Sequence, residues 1–335
     1  MKPVIFGLSG HELTPDERAF FRDVDPLGYI LFKRNCGDRV QMKALTDSLR
    51  ELSGRADVPI LIDQEGGRVS RMQPPEWPEF PAGAAFDALY DVAPISAIEA
   101  ARANAHALAL MLAEAGVNVN CAPLLDVRQP EVTPAIGDRA FGGDPMRVAA
   151  LGQAMLEGMR RGGVVGVVKH MPGHGRALVD SHYELPRVAA DAAALETDIE
   201  PFARLNDAPM GMTCHVVFDA WDAERPATLS PIVIEQIIRG RIGFDGLLMT
   251  DDIDMKALSG TAGQKAASAL AAGCDVVLDC WARMDEMIEI AGRIPDATDA
   301  CMARLERAMA TVAGGPQQAD FGALIAKRDT LLAEV

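Results

Sequence analysis

DPMRVAALGQAMLEGMRRGGVVGVVKH, residues 144–170, holds one complete join between a helix and a buried strand. Asp144-Pro145 reads as an N-cap followed by proline at the first helical position, where its missing N–H costs nothing. Val148, Leu151, Met155 and Met159 then recur at helical spacing, which gives the helix one apolar face. Gly162-Gly163 ends it, and residues 164–170 follow as an unbroken apolar run that closes on Lys169-His170. A continuous run, rather than an alternating one, is how a strand covered on both faces reads. Helix, glycine, buried strand is half of a βα repeat.

The same join recurs on either side. Ala115-Gly116 precedes Val117, and Ala272-Gly273 precedes Cys274, with Ala-rich helices expected over 98–115 and 264–272. Bounded apolar runs fall at 4–8, 29–32, 58–63, 117–126, 164–170, 210–218, 246–251 and 274–280, eight in all. Eight such units point to α/β architecture, a single (β/α)8 barrel of the TIM type forming one catalytic domain over residues 1–335. A doubly wound open sheet is the alternative. No composition shift marks a second domain. The segment 74–78, PPEWP, reads as a rigid loop, and the tail beyond Ala313 as a turn into a last short helix.

Composition narrows the function. Asp and Glu number 48 against 32 Lys and Arg, a net charge of −16. That field repels phosphate backbones and anionic lipid, so neither nucleic acid nor a membrane surface is expected as a partner. The six cysteines form no CxxC pair and sit mostly in apolar runs, as buried free thiols of a reducing compartment do. The N-terminal apolar stretch is too short for a signal peptide. No run reaches the roughly 20 apolar residues of a membrane helix. A cytoplasmic location is expected.

Chemistry in a parallel barrel gathers at the C-terminal ends of the strands. Residue 62 is followed by Asp63-Gln64-Glu65-Gly66-Gly67-Arg68, with Arg71 close behind. Later runs lead to Asp126 with Gly137-Asp138-Arg139 beyond it, to Lys169-His170, to His215, and to Asp251-Asp252. Helix capping accounts for Asp126 and Asp252. It does not account for Lys169, His170 or Arg139.

Three of the six histidines, His170, His174 and His182, lie within 13 residues. They suit a metal site by residue type, yet Pro172, Gly173 and Gly175 break the helix that would align them. An extended loop in which Asp180 orients His182, two residues on, makes an acid/base group near neutral pH. A solvated loop with incidental histidines is the bland alternative.

These residues resemble a known family. VVKHMPGHG (167–175) with DSHYELP (180–186) is similar to the signature loop of glycoside hydrolase family 3, in the Asp-Ser-His version of bacterial β-N-acetylglucosaminidases of peptidoglycan recycling. GFDGLLMTDDIDM (243–255) resembles the family's nucleophile segment, LIDQEGGRVSRM (61–72) its third-strand motif, and AIGDRAFGGDP (135–145) the loop with a sugar-binding Arg. GYILFKRNCGD (28–38) and AGCDVVLDC (272–280) also match, in the family's order. Met171 replaces a usual aromatic, and Asp254 a usual small residue.

The resemblance implies a retaining exo-β-N-acetylglucosaminidase that removes terminal N-acetylglucosamine from muropeptides such as GlcNAc-1,6-anhydro-muropeptides. Asp251, after Thr250, would be the nucleophile, with Asp252 a rival from sequence alone. His182 would be the general acid/base, paired with Asp180. Asp63, Arg71, Arg139, Lys169 and His170 would bind the terminal sugar. No metal and no organic cofactor is required, and a monomer is expected. The loop 172–186, with its early Gly and Pro breaks, is expected to move and bring His182 over the scissile oxygen when substrate binds. Arg68, Arg71, Arg139 and Arg176 are expected to make the mouth locally positive for a lactyl carboxylate on the leaving sugar.

Four other readings compete. A family 3 β-glucosidase is disfavoured by the Asp180/His182 pair. A β-N-acetylglucosaminide phosphorylase fits an imidazole acid/base, which tolerates an anionic acceptor. A metal-dependent barrel hydrolase would use His170, His174 and His182. A non-catalytic sugar-binding barrel is the reading outside enzymology.

Overall fold

The structure, a computed structural model, describes residues 1–131, 133–181 and 183–334. Eight strands among them form a closed parallel barrel: β1 Lys2–Gly7, β2 Pro26–Leu31, β3 Ile60–Ile62, β4 Val119–Asn120, β5 Val165–Met171, β6 Met210–Thr213, β7 Leu247–Asp252 and β8 Val276–Asp279. Strand order follows the chain, and β1 closes the ring by pairing Val4 with Val277 of β8.

The unbroken apolar runs are explained by where successive side chains go. Val165 and Val167, Met210 and Met212, Leu247 and Met249, and Val276 and Leu278 fill the barrel interior. Their neighbours Val168, Leu248 and Val277 pack outward beneath the helices. Both faces of each strand are therefore dry, and alternation has nothing to report.

Helices follow the cues that the sequence offers. Asp144 accepts the amides of Met146 at 2.8 Å and Arg147 at 3.0 Å, starting the helix Pro145–Arg161 with proline at its first turn. Val148, Leu151, Met155 and Met159 are its buried stripe. Gly163, at φ +79°, then turns the chain into β5 in a conformation that side chains resist. Ala-rich Pro94–Glu114 packs against that helix, and Gly162 lets them meet, since a Cβ there would fall 2.3 Å from that of Ala109.

Two expected strands are shorter than the runs that announced them. The run 117–126 forms a regular strand only at Val119–Asn120; beyond it Cys121 still donates to the Ile62 carbonyl at 2.9 Å and Lys169 to the Pro123 carbonyl at 3.2 Å, while Pro123 itself has no N–H to donate. Leu124 rejoins β5 through a single bridge to Lys169. The run 210–218 leaves the barrel at Thr213, and Val217–Phe218 joins a separate small sheet with Arg187–Val188 and Asp222–Pro226.

The barrel has one closed end. Cys301, Leu305, Ala308 and Met309 of the helix Asp299–Ala310 pack into the interior cluster beneath the strands' N-terminal ends. Phe321–Leu332 is the final helix, docked on Pro94–Glu114. All six cysteines are free thiols, and five are buried. Among the described residues no helix is long and apolar enough to cross a membrane.

Candidate active site

The opposite end of the barrel is a cleft of about 700 Å³. Its base is assembled from β3 outward. Gln64, buried, accepts the amides of Arg71 at 2.8 Å and Met72 at 3.0 Å, while its own amide donates to Asn120 Oδ1 at 3.0 Å. With Gln64 turned inward and pinned, Asp63 and Glu65 on either side share the cleft face, as extended backbone dictates. The ladder between β5 and β6 is irregular between Val168 and Met171, and both Lys169 and His170 line the cleft.

These side chains form a chain of alternating charge. Arg71 Nη2 lies 3.0 Å from Asp63, whose other oxygen lies 3.0 Å from Lys169 Nζ. Lys169 Nζ also lies 2.7 Å from Glu65, and Glu65 takes Arg139 in a two-pronged pair at 2.8 Å for each contact. Burial pushes both carboxyls up, but Lys169 and Arg71 hold Asp63 well below the usual range, and Arg139 with Lys169 brings Glu65 to about 2. Burial pulls Lys169 down and is overcome by Asp63 and Glu65, which raise it. All five stay charged across the physiological range.

Asp126 organises the second wall. Fully buried, it lies 2.7 Å from His170 Nδ1 and accepts the amides of His170 at 3.3 Å and His174 at 2.6 Å. Burial raises its carboxyl, and His170 and His174 outweigh that to bring it to about 2. The ionised carboxylate fixes the proton of His170 on Nδ1 and leaves Nε2 for the cleft. Capping, the role expected of Asp126 and Asp252, is corrected here. The next helices start at Asp144 and Thr261, and Asp252 instead accepts the amides of Asp254 at 3.2 Å and Cys280 at 3.3 Å.

The His-rich loop is tied down at several points. His174, pushed down to about 4 by burial and therefore neutral, sits with Nε2 3.3 Å from Ser181 Oγ. Arg176 donates to Asp198 at 2.6 Å and to the Ala194 carbonyl at 3.0 Å. Ala257, just past β7, donates to the Ser181 carbonyl at 3.3 Å. Asp180 lines the cleft. His182 lies outside the described residues.

At the tip of β7 the two adjacent aspartates differ. Asp251 Oδ1 accepts the Asp252 amide at 2.8 Å, and Asp251 lines the cleft. Burial raises the Asp251 carboxyl, whereas His170, His215, the Asp252 amide and Lys169 pull it down, and the pull wins. Asp252 is raised to about 6 by burial and by the neighbouring Asp251 and Asp254. His215 fixes this strand end from behind. Its Nε2 donates to the Asp252 carbonyl at 2.9 Å, and its Nδ1 meets Thr228 Oγ1 at 2.7 Å.

Asp63, Arg71, Arg139, Lys169, His170, Asp180 and Asp251 thus line one cleft, from strand ends and the loops that follow them. The expectation that arginines make its mouth positive is corrected. Arg68, Arg71, Arg139 and Arg176 are paired with Asp138, Asp63, Glu65 and Asp198, so each brings its own countercharge. Glu65 was legible as a site residue from its i, i+2 spacing to Asp63, and Asp126 stood at a strand end but read as a cap. Arg34, Phe32 and Trp281 also line the cleft without a sequence cue. Among the described residues no group of three His, Cys, Asp or Glu side chains is arranged to hold a metal ion.

Residues 16–314 match the glycosyl hydrolase family 3 N-terminal domain. The chain belongs to glycosyl hydrolase family 3. A β-hexosaminidase of Chromobacterium violaceum is 38% identical over 99% of the chain and 92% of its own length. The crystal structure of native NagZ from Neisseria gonorrhoeae superposes with a TM-score of 0.88 at 31% identity, covering 99% of this chain and 98% of that one. The same enzyme in complex with N-trifluoroacetyl-D-glucosamine gives a TM-score of 0.87 at 32% identity, with 99% and 98% covered. This family 3 chain is a glycoside hydrolase, and its barrel is the family's.

Proposed function

We propose that this enzyme is a retaining exo-β-N-acetylglucosaminidase that removes terminal β-linked N-acetylglucosamine from peptidoglycan-derived muropeptides. It acts in the cytoplasm as a monomer, with residues 1–335 as one catalytic domain. The observation that carries the reading is the ionised Asp251 carboxylate at the base of the cleft, with one oxygen held by a backbone amide and the other without a hydrogen-bond partner among the described residues. The names of its relatives, and the N-acylated glucosamine bound by one of them, support the same sugar.

In the first step Asp251 Oδ2 attacks the anomeric carbon, the glycosidic C–O bond breaks, and the departing oxygen takes a proton from His182. In the second, water attacks the glycosyl–enzyme ester, His182 takes the water's proton, and Asp251 leaves as carboxylate. Asp180 orients the imidazole, whose intrinsic pKa near neutrality serves both steps. Asp63, Arg71, Arg139, Lys169 and His170 position the sugar. Their prior ion pairing keeps them fixed, so little ordering is needed at the moment of reaction. The loop carrying His182 closes over bound substrate.

A fluorinated N-acetylglucosaminide that forms the ester faster than it breaks down tests the assignment. Mass spectrometry is expected to find the label on Asp251. A label on Asp252, or none with turnover intact, overturns it. Turnover that needs inorganic phosphate identifies a phosphorylase instead.

A further inference from the structure

The terminal sugar of an exo-acting pocket occupies the base, so whatever lies beyond the scissile bond must leave through the mouth. The mouth has its own construction. Trp281 and Tyr183, with relative exposures of 55% and 73%, both line the cleft while standing largely in solvent. Exposed large aromatics on a sugar-binding cleft are stacking faces awaiting a partner.

Trp281 is held in place rather than loose. It is the outer member of a column in which the Arg71 guanidinium lies 5.1 Å from the Phe32 ring centroid, and that of Arg34 lies 4.9 Å from the same ring and 5.9 Å from the Trp281 ring. The next residue, Ala282, has a left-handed backbone at φ +57°, and Arg283 then pairs with Asp254 of the β7 loop and with Glu286. A non-glycine residue in that conformation is over-determined by its surroundings, which fixes where Trp281 points.

Charge at the mouth is equally specific. Among the described cations lining the cleft, only Arg34 and Lys256 lack a carboxylate partner. Arg34 is committed to the carbonyls of Leu8 and Cys280. Lys256 is exposed, and its ammonium lies 6.0 Å from the Tyr183 ring centroid. It is a free positive charge at the doorway of a chain whose net charge is −16.

We propose that Trp281 and Lys256 form a leaving-group subsite in which the indole takes the face of the departing pyranose and the ammonium takes a carboxylate carried by that sugar. This rests on the N-acetylglucosaminidase reading and names what selects the other half of the substrate. Tyr183, adjoining the acid/base loop, holds Lys256 by its ring face. Selection by one exposed charge is modest and screened by salt.

Three substrates separate the arms of the test. N-acetylglucosaminyl fluoride has a one-atom leaving group and reports the base alone. N,N′-diacetylchitobiose carries a neutral leaving sugar, and N-acetylglucosaminyl-N-acetylmuramic acid a carboxylated one. The wild-type enzyme is expected to prefer the carboxylated disaccharide over the neutral one. Lys256→Gln lowers that kcat/KM ratio about threefold, and Lys256→Arg restores it. Trp281→Ala raises KM for both disaccharides about fivefold to tenfold.

A ratio in Lys256→Gln equal to that of the wild type, with KM unmoved in Trp281→Ala, overturns the subsite alone. Absence of wild-type turnover on the fluoride and on chitobiose overturns the underlying activity, and the subsite with it.

Discussion

At the base of the cleft, Asp63 and Glu65 are held between the three cations Arg71, Lys169 and Arg139, largely screened from water, whereas at the mouth Trp281, Tyr183 and Lys256 stand in solvent. The same barrel end therefore carries two kinds of recognition. The base is pre-assembled, and any loss there removes a charge from a buried ion-pair network. The mouth has no such network, and changes there cost only the contact removed. Buried and exposed ion pairs differ by this measure severalfold in free energy.

The largest test removes Lys169, the ammonium shared by two buried carboxylates. Lys169→Met is expected to destabilise by about 3 kcal/mol, read from the denaturant midpoint. It should also lower kcat/KM on any N-acetylglucosaminide about a hundredfold, because the charge that positions the sugar and fixes both carboxylates is gone. A variant with wild-type stability would erase the contrast between base and mouth.

Next comes Asp279, at the end of β8, buried with Oδ2 unpartnered among the described residues. Burial, with Asp252, Glu286 and Asp254 nearby, raises its carboxyl from 3.8 to about 8. The folded chain then binds a proton that the unfolded chain gives up, so folding is penalised increasingly as pH rises from about 4 to about 8. Asp279→Asn removes that penalty. Its gain in melting temperature over wild type is expected to be near zero at pH 4, to grow toward pH 8, and to level off above. A constant gain across that span counts against the assignment.

Arg176→Met tests the root of the His-rich loop, where the guanidinium meets buried Asp198. Loss of about 1–2 kcal/mol of stability is expected, with kcat falling more than affinity for free N-acetylglucosamine, which the base alone binds. Equal losses in both would make Arg176 a purely structural residue. The smallest effect belongs to the mouth. Raising ionic strength from about 0.05 M to 0.5 M should cut kcat/KM twofold to threefold for a carboxylated leaving sugar, and less for the fluoride.

The barrel was legible because its strands are dry on both faces and several joins to a preceding helix are punctuated by glycine, as at Gly162-Gly163. The strand-end rule pointed to Asp63, Arg71, Arg139, Lys169, His170 and Asp251, and the His-rich loop to Asp180, all of which line one cleft. Pairing was not legible, since it depends on which loops meet. Asp126 looked like a cap because its partners, His170 and the His174 amide, lie 44 and 48 residues away. Arginines counted as free charge were already spent on Asp138, Asp63, Glu65 and Asp198 for the same reason. The run 117–126 overstated β4 because apolar periodicity does not register a missing donor at Pro123. Trp281 was passed over because it is exposed, and burial patterns are silent about exposed residues.

Sharing one lysine between two acids has a consequence for how such a protein diversifies. No member of the trio Asp63, Glu65 and Lys169 can be exchanged alone without removing an ion-pair contact from a neighbour, so mutational drift there is expected to need several coordinated changes. The rim imposes no such toll, since its side chains answer mainly to solvent. New preferences for what is cast off should be reachable by single edits around Trp281 and Lys256, while the sugar that is kept stays locked.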